Sequence, residues 1–349
     1  MNPKGPSPAI VFETANAYQR SEALKAAVEL DLLTHIANGR RTADEIAAAC
    51  DASARGIRIL ADYLVIAGLL RKAEDRYELT PDSQVFLVRT SPAYLGGTLE
   101  FLLTPQIRES FANLVRAVKR GGTAMSDEGT VSHDNPVWVA FARAMGPMMM
   151  PQAEMLVELA GGDRGKPLRV LDVAGHGLFG IVFAQQFPNA QVTALDWANV
   201  LAVAAENATR AGVGDRLALL PGSAFEVDWG GPFDLVLLTN FLHHFDIRTC
   251  ERLAAKAFAA LGPGGRVITL EFVPAADRVS PPSAAAFALT MLATTAAGDA
   301  YTFAEYERMF THAGLHAARS IHSRRLRNRP SCRSSRDPCG SKPSVETAR

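Results

Sequence analysis

Val170-Leu171-Asp172-Val173-Ala174-Gly175-His176-Gly177-Leu178-Phe179-Gly180 reads as a buried strand, a glycine turn and the start of a helix. An apolar run ending in closely spaced glycines lets a ligand approach the backbone without meeting a Cβ. The following helix is expected to point its free N–H groups at that ligand. Nineteen residues after Gly177, the next candidate strand, Gln191–Leu195, runs into Asp196. An acid at that distance suits a ribose diol, so the pair points to a nucleoside cofactor at the carboxyl edge of a parallel sheet.

Gly175-x-Gly177-x-x-Gly180 also satisfies the dinucleotide fingerprint, a pattern that is weak on its own. Asp172 opposes that reading, because a carboxylate just before the loop repels a pyrophosphate and attracts a cation. S-adenosylmethionine (SAM) carries a sulfonium and an ammonium and no phosphate. The bland alternative is a glycine turn that merely packs helix against strand.

Outward from this loop, strands and helices alternate from Lys166 onward. Candidate strands are Arg169–Val173, Gln191–Leu195, Leu217–Leu220, Leu235–Thr239 and Arg266–Phe272, with helices such as Val200–Ala211 and Cys250–Leu261 between them. That order predicts a doubly wound, Rossmann-like α/β sheet with ligand sites at the strand carboxyl ends. Gly262-Pro263-Gly264-Gly265 reads as a tight turn into the fifth strand.

The block from about Phe12 to Val88 is helical. Thr42-x-x-Glu45 before Ile46 is a capping-box signature, and Arg71–Leu79 reads as a hairpin closed by Thr80-Pro81. Helix, turn, helix, hairpin is a winged-helix order. Arg55 and Arg58 could lie on a DNA-recognition helix or be solvated charges on a scaffold. Leu24, Val28, Leu30, Leu32, Leu33 and Ile36 are many apolar residues for a small block, which predicts burial against a second copy. The expected domains are 1–100 for this dimerisation block, 101–165 for a helical connector, 166–318 for the cofactor domain and 319–349 for a basic tail. In the connector, Trp138, Phe141, Met145, Met148, Met149 and Met150 suit either a core or an adaptable pocket for a flat molecule.

With 349 residues, the chain is long enough for two sizeable cores. Its formal net charge is zero but unevenly placed. Residues 319–349 hold nine Lys or Arg against two acids, leaving 27 basic and 34 acidic residues in the rest. A mildly acidic body does not suggest a nucleic-acid partner. Cys50, Cys250, Cys332 and Cys339 have no framework or metal-site spacing, so reduced thiols and no metal are expected. Neither a signal core nor a membrane-length apolar run is visible, and the sequence-level expectation is a cytoplasmic protein with no membrane partner.

Chemistry is expected after the fourth strand, where Asn240-Phe241-Leu242-His243-His244 follows Thr239. A histidine just past a strand end can take a proton from an attacking hydroxyl. Glu271, near the end of the fifth strand, could orient it. The bland reading is that His243 packs or caps a helix and His244 is exposed.

These pieces together resemble the SAM-dependent small-molecule O-methyltransferases of plants and bacteria, over roughly residues 12 to 315. The resemblance rests on the helix–hairpin block ending Leu79-Thr80-Pro81, the glycine loop, Asp196, Leu242-His243, Leu261–Gly265 and Gly298-Asp299-Ala300-Tyr301-Thr302. It implies a winged-helix dimerisation domain, a homodimer, a Rossmann-like catalytic domain, SAM as cofactor and a small aromatic or polyketide-like acceptor. His243 then falls at the family's base and Glu271 at a supporting acid. Asp172, Gly175, Gly177, Asp196, Trp197, Ser223, Ala224, Phe225 and Thr239 fall on the cofactor side. Trp138, Phe141, Met145, Met149, His244, Phe287 and Met291 fall on the acceptor side.

The chain departs from the family pattern at four places. Asp172 stands three residues before Gly175, Ser223 replaces an acid, His244-Phe245 replaces Asp-Trp, and Phe303 stands where a second supporting Glu is expected. Beyond Leu315 the Arg-, Ser- and Pro-rich sequence lacks β alternation, so the antiparallel strands that usually finish this sheet are not expected. A basic interaction tail or an altered reading frame would each account for that ending. The competing functions are C- or N-methyl transfer, a nicotinamide oxidoreductase, and a ligand-sensing winged-helix regulator.

Overall fold

The computed structural model describes residues 6–126, 129–133 and 135–316, and the backbone of 319–322 and 344–348. The chain divides into two compact units, Met1–Thr104 and Pro105–Arg349.

In the first unit the expected capping box forms. The Glu45 N–H donates to Thr42 Oγ1 at 3.3 Å, and the Thr42 N–H donates to Glu45 Oε2 at 3.0 Å. This satisfies donors left free at the start of helix Ala43–Ala49. Ser53 caps the next helix, Ala54–Ile66, by accepting from the Gly56 N–H. Ile57, Ala61 and Leu64, four and three residues apart, face inward. The hairpin follows as β1 (Leu70–Ala73) and β2 (Arg76–Leu79), paired Leu70 to Leu79. Arg58 pairs with Asp62, which also takes Lys72.

One expectation is narrowed here. Of the six apolar residues named, Leu32, Leu33 and Ile36 are buried in the unit's own core with Ile46, Ile57 and Tyr77, so they are not available to another chain, whereas Leu24, Val28 and Leu30 are only partly buried. Further exposed apolar surface lies on Ile10, Val11, Phe12 and Tyr18, each more than 60% exposed.

The second unit is built on a seven-stranded sheet. Its strands are β3 (Leu168–Val173), β4 (Ala190–Asp196), β5 (Leu217–Pro221), β6 (Phe233–Thr239), β7 (Leu261–Glu271), β8 (Arg319–His322) and β9 (Ser344–Ala348), ordered β5-β4-β3-β6-β7-β9-β8. β3 pairs in parallel with β4 on one side and β6 on the other. The chain reverses direction across the sheet at that point, which opens a crevice at the strand carboxyl ends. Val173 is level with both Leu195 and Leu238, so the loops after β3, β4 and β6 emerge together. The near-continuous apolar β3 and β6 are buried, as a sheet covered on both faces requires. Helix Leu178–Gln186 is buried on nearly all sides, consistent with its uniformly apolar sequence.

The expected turn at Gly262–Gly265 is drawn into β7. Phe233 pairs with Leu261 and Leu235 with Arg266, so the four intervening residues bulge out of register.

The C-terminal expectation is overturned. β9 pairs antiparallel with β7, and β8 pairs antiparallel with β9. Backbone N–H and C=O groups make these ladders whatever the side-chain alternation, so the sequence pattern missed them. Residues 317–318, 323–343 and 349, with Cys332, Cys339 and most of the basic residues of the proposed tail, lie outside the described residues. Among the described residues, no helix is long and apolar enough to cross a membrane.

Candidate active site

The loop after β3 adopts left-handed backbone at three residues, Ala174 (φ 54°), His176 (φ 45°) and Gly177 (φ 75°). Only Gly177 does so without a Cβ penalty, and a Cβ there would also lie 2.7 Å from that of Ala204. Gly175 is needed for a different reason. A Cβ on it would overlap Asp172 Oδ1, so this glycine makes room for the carboxylate beneath the loop.

Asp172 is 1% exposed. Its Oδ2 accepts from the Gly180 N–H at 2.8 Å, while Oδ1 has no partner among the described residues. Burial pushes its carboxyl up to about 7, against the Gly180 N–H, with the neighbouring Asp196 adding to the rise. Asp196 is half-buried; its Oδ1 accepts from its neighbour Trp197 N–H at 2.8 Å and its Oδ2 from the His176 N–H at 3.3 Å. Burial pushes it up to about 6. The expectation that the loop and helix present free N–H groups to a ligand is narrowed, because two of those groups, on Gly180 and His176, already donate to protein carboxylates.

Ser223, Ala224 and Phe225 follow β5 in a tight turn. The Phe225 N–H donates to Ser223 Oγ at 3.2 Å. Lys256 Nζ donates to the carbonyls of Ala224, Phe225 and Val227 at 2.8–3.0 Å, and Trp229 Nε1 donates to the same Ala224 carbonyl. Trp197 stacks edge-on to His133 with centroids 4.5 Å apart. Thr239 closes β6 with a buried Oγ1 that has no partner among the described residues.

β6 and β7 bring His243 and Glu271 together from 28 residues apart. His243 Nδ1 lies 2.5 Å from Glu271 Oε2. The other carboxylate oxygen, Oε1, accepts from the Phe241 and Leu242 N–H groups at 3.0 and 2.8 Å. Glu271 is fully buried and His243 is 3% exposed. Nε2 of His243 takes no hydrogen bond from the described residues, yet it is not among the buried atoms cut off from solvent.

The loop carrying this histidine is tethered from several sides. The Asp299 N–H donates to the His243 carbonyl at 3.0 Å, Tyr301 Oη to that of Phe245 at 2.6 Å, and Cys250 Sγ to that of Leu242 at 3.1 Å. Gly298 packs so closely that a Cβ would overlap the His243 carbonyl oxygen. Gly298→Ala is therefore expected to displace the His243 loop, lowering stability by about 1–3 kcal/mol and kcat with it. A thermal melt and a kcat measurement check this, and wild-type values for both would show that the loop has room to spare.

Around the histidines the structure gathers the aromatic candidates. Phe287 meets His243 edge-on at 4.8 Å and stacks on Phe272 at 3.9 Å. Met291 lies one turn further along the helix that carries Phe287 and is buried. Trp138 meets His244 edge-on at 5.1 Å, and Phe141 touches both Trp138 and His176. His244 is buried rather than exposed, and its Nδ1 has no partner among the described residues. Burial, then the adjacent His243, holds it well below the usual histidine range. Met145 and Met149 are 2% and 7% exposed, the core side of the two readings open to them. Sequence reasoning missed Phe272 and the His176 side chain; His176 stood in plain view inside the quoted loop. At the departure from a second supporting acid, Glu305 caps Thr302 and pairs with Arg278. Among the described residues, no three His, Cys, Asp or Glu cluster to hold a metal.

Comparison with known proteins gives a consistent picture. A family model described as the O-methyltransferase dimerisation domain matches residues 12–89, and one described as the O-methyltransferase domain matches residues 155–316. A solved structure from Nostoc punctiforme PCC 73102, provisionally designated an O-methyltransferase, is 48% identical with a TM-score of 0.90, covering 99% of each chain. The tetracenomycin polyketide synthesis 8-O-methyl transferase of Streptomyces glaucescens is 28% identical over 311 residues, 88% of this chain and 91% of its own length. Human N-acetylserotonin methyltransferase, solved in complex with SAM, shares the fold with a TM-score of 0.79 at 19% identity, covering 100% of this chain and 99% of its own.

Proposed function

The chain belongs to the SAM-dependent O-methyltransferase family, and from that premise we propose that it methylates a hydroxyl of a small aromatic or polyketide-like metabolite. The observation that carries this reading is the His243–Glu271 pair at the carboxyl ends of β6 and β7, with Nε2 of His243 left without a partner among the described residues.

The residues present fit SAM. Asp172 and Asp196 make the loop's surroundings acidic, and Asp172 Oδ1 has no partner among the described residues. The sulfonium and ammonium of SAM complement that charge, whereas the pyrophosphate of a nicotinamide dinucleotide is repelled by it. When bound, SAM supplies an electrophilic methyl group. Asp196 would hold the ribose diol, and the Lys256-braced turn at Ser223–Phe225 would flank the adenine. Gly177 lets the loop turn sharply enough to lie against the cofactor.

On the acceptor side, Trp138, Phe141, His244 and Phe287 supply flat apolar walls that suit an aromatic ring. The name of the S. glaucescens relative points to a polyketide acceptor for that protein, which supports the same class here. His243 Nε2 takes the hydroxyl proton as the oxygen attacks, and Glu271 holds the ring through Nδ1 and steadies its positive charge. Holding the nucleophile in place contributes most of the remaining rate. Pairing through residues 12–89 makes the working form a homodimer, and the exposed apolar residues at Ile10–Phe12 supply surface for it. The free thiols of Cys50 and Cys250 fit the reducing cytoplasm. The reading includes no nucleic-acid or membrane partner.

Calorimetric titration with SAM, S-adenosylhomocysteine and NAD tests the cofactor, and mass spectrometry of products from a panel of phenols tests the acceptor. Binding of the sulfur ligands without NAD, and an O-methyl ether product, are expected. NAD binding, or methylation at carbon or nitrogen, would overturn the reading.

Asp172 gives this a pH signature. Its carboxyl is raised to about 7, so the folded state holds that proton more tightly than the unfolded chain. The associated stability is fully present below about pH 4 and is lost as pH rises through about 7. Asp196, raised to about 6, acts in the same direction. The ionised form attracts a cation, so SAM affinity should rise with pH through the same window. Asp172→Asn should flatten the stability loss while weakening SAM binding and its pH dependence. Thermal melts and calorimetry from pH 5 to 9 check both, and an unaltered SAM profile in the variant would remove Asp172 from the cofactor site.

A further inference from the structure

His176 is costly where it stands. Its backbone is left-handed at φ 45°, a conformation that favours glycine. Its ring is buried, and neither Nδ1 nor Nε2 has a partner among the described residues. A buried polar group left unpaired is destabilising, and a strained residue persists where its surroundings or a function demand it. Burial holds this imidazole down at about 4, so it is neutral, with one N–H to donate and one lone pair.

Its position narrows what it could meet. The His176 N–H donates to Asp196, the acid assigned to the ribose, and Asp172 lies beneath the adjacent Gly175. His176 is the only side chain between Ala174 and Leu178 that carries a nitrogen. Two carboxylates thus answer the diol and the cationic charge of SAM, leaving its α-carboxylate without a complement in the loop. Over the ring lies the edge of Phe141, 5.1 Å between centroids, which is side chain rather than backbone and can yield by rotation.

We propose that His176 is a cofactor-binding residue whose ring N–H donates to the α-carboxylate of SAM and of its demethylated product. This rests on the SAM reading above. The geometry behind it is an unpaired, buried imidazole on the strained turn between the two acids. Its hydrogen bond would bring the glycine loop and helix Pro136–Ala144, which carries Phe141 and Trp138, into register with the bound cofactor.

The test is calorimetry of S-adenosylhomocysteine and of its decarboxylated analogue, S-adenosyl-3-thiopropylamine, on wild type, His176→Phe and His176→Asn. Phe keeps the ring without a donor; Asn tolerates left-handed backbone and keeps one. The expected result is that His176→Phe loses about tenfold in affinity for S-adenosylhomocysteine and about none for the analogue, while His176→Asn recovers part of the loss. Equal losses for both ligands, or none for either, would overturn the proposal, because a packing role does not distinguish them. If His176→Phe fails to fold, His176→Asn decides alone: a loss of affinity for S-adenosylhomocysteine with none for the analogue is expected, and equal losses for both ligands, or none for either, overturn the proposal. Wild type binding neither ligand would instead overturn the cofactor reading on which it rests.

Discussion

His243→Ala is expected to lower kcat by about 10²–10⁴-fold, the usual worth of a general base, while SAM affinity stays within about twofold of wild type. The imidazole is held by Glu271 at Nδ1, and its Nε2 has no protein partner among the described residues. An acceptor hydroxyl can therefore meet only a nitrogen that is free to take its proton. The cofactor candidates Asp172, Asp196 and Ser223–Phe225 lie on other strands of the sheet, which is why binding should survive. Removing the ring leaves a gap beside Phe287 and Phe272, so His243→Asn provides a second variant with a milder loss of volume. Single-turnover kinetics at saturating SAM and calorimetry check both. Undiminished turnover in either folded variant would remove His243 as base.

Glu271→Gln should lower kcat nearly as far, by about 10²–10³-fold, and through the proton rather than through the fold. Glu271 uses both oxygens: Oε1 accepts two backbone N–H groups and Oε2 faces Nδ1 of His243. In the amide, the oxygen can keep the two backbone donors, and the NH₂ must then face Nδ1. That forces Nδ1 to accept and moves the ring proton to Nε2, the atom required to be the base. The opposite amide orientation would aim the NH₂ at two backbone donors inside a sealed site, a costly arrangement. The variant should keep the wild-type KM for SAM. The double variant with His243→Ala should be little worse than the single, because the two residues act as one unit. Additive losses would show that Glu271 works apart from His243. Glu271→Leu would be the poorer experiment, since an apolar side chain strands both backbone N–H groups.

The parts of this molecule legible from sequence are those written by short-range chemistry. Thr42-x-x-Glu45 announced a capped helix because both partners of the capping box lie within one turn. The alternation of strands and helices after Lys166 gave the strand positions to within a few residues, because burial on both faces leaves continuous apolar runs. The Gly175–Gly180 loop and Asp196 could be joined because one helix of ordinary length separates their strands. Where long-range packing decides, the reading went astray. Leu32, Leu33 and Ile36 look available for a partner until the first unit's own core claims them. The last two strands were invisible because a backbone ladder asks little of its side chains.

By itself, then, the sequence determined the doubly wound sheet, the winged-helix order and an acid-flanked glycine loop, because periodicity, capping and glycine backbone freedom act within a few residues. Only the tertiary structure decided that Gly175 makes room for Asp172, that the His176 and Gly180 N–H groups are taken by protein carboxylates, and that Glu271 faces Nδ1 of His243 while Nε2 has no partner among the described residues. Those facts depend on β3, β4, β6 and β7 lying side by side in a particular register, and hydrogen bonds between neighbouring strands set that register across separations no local pattern records.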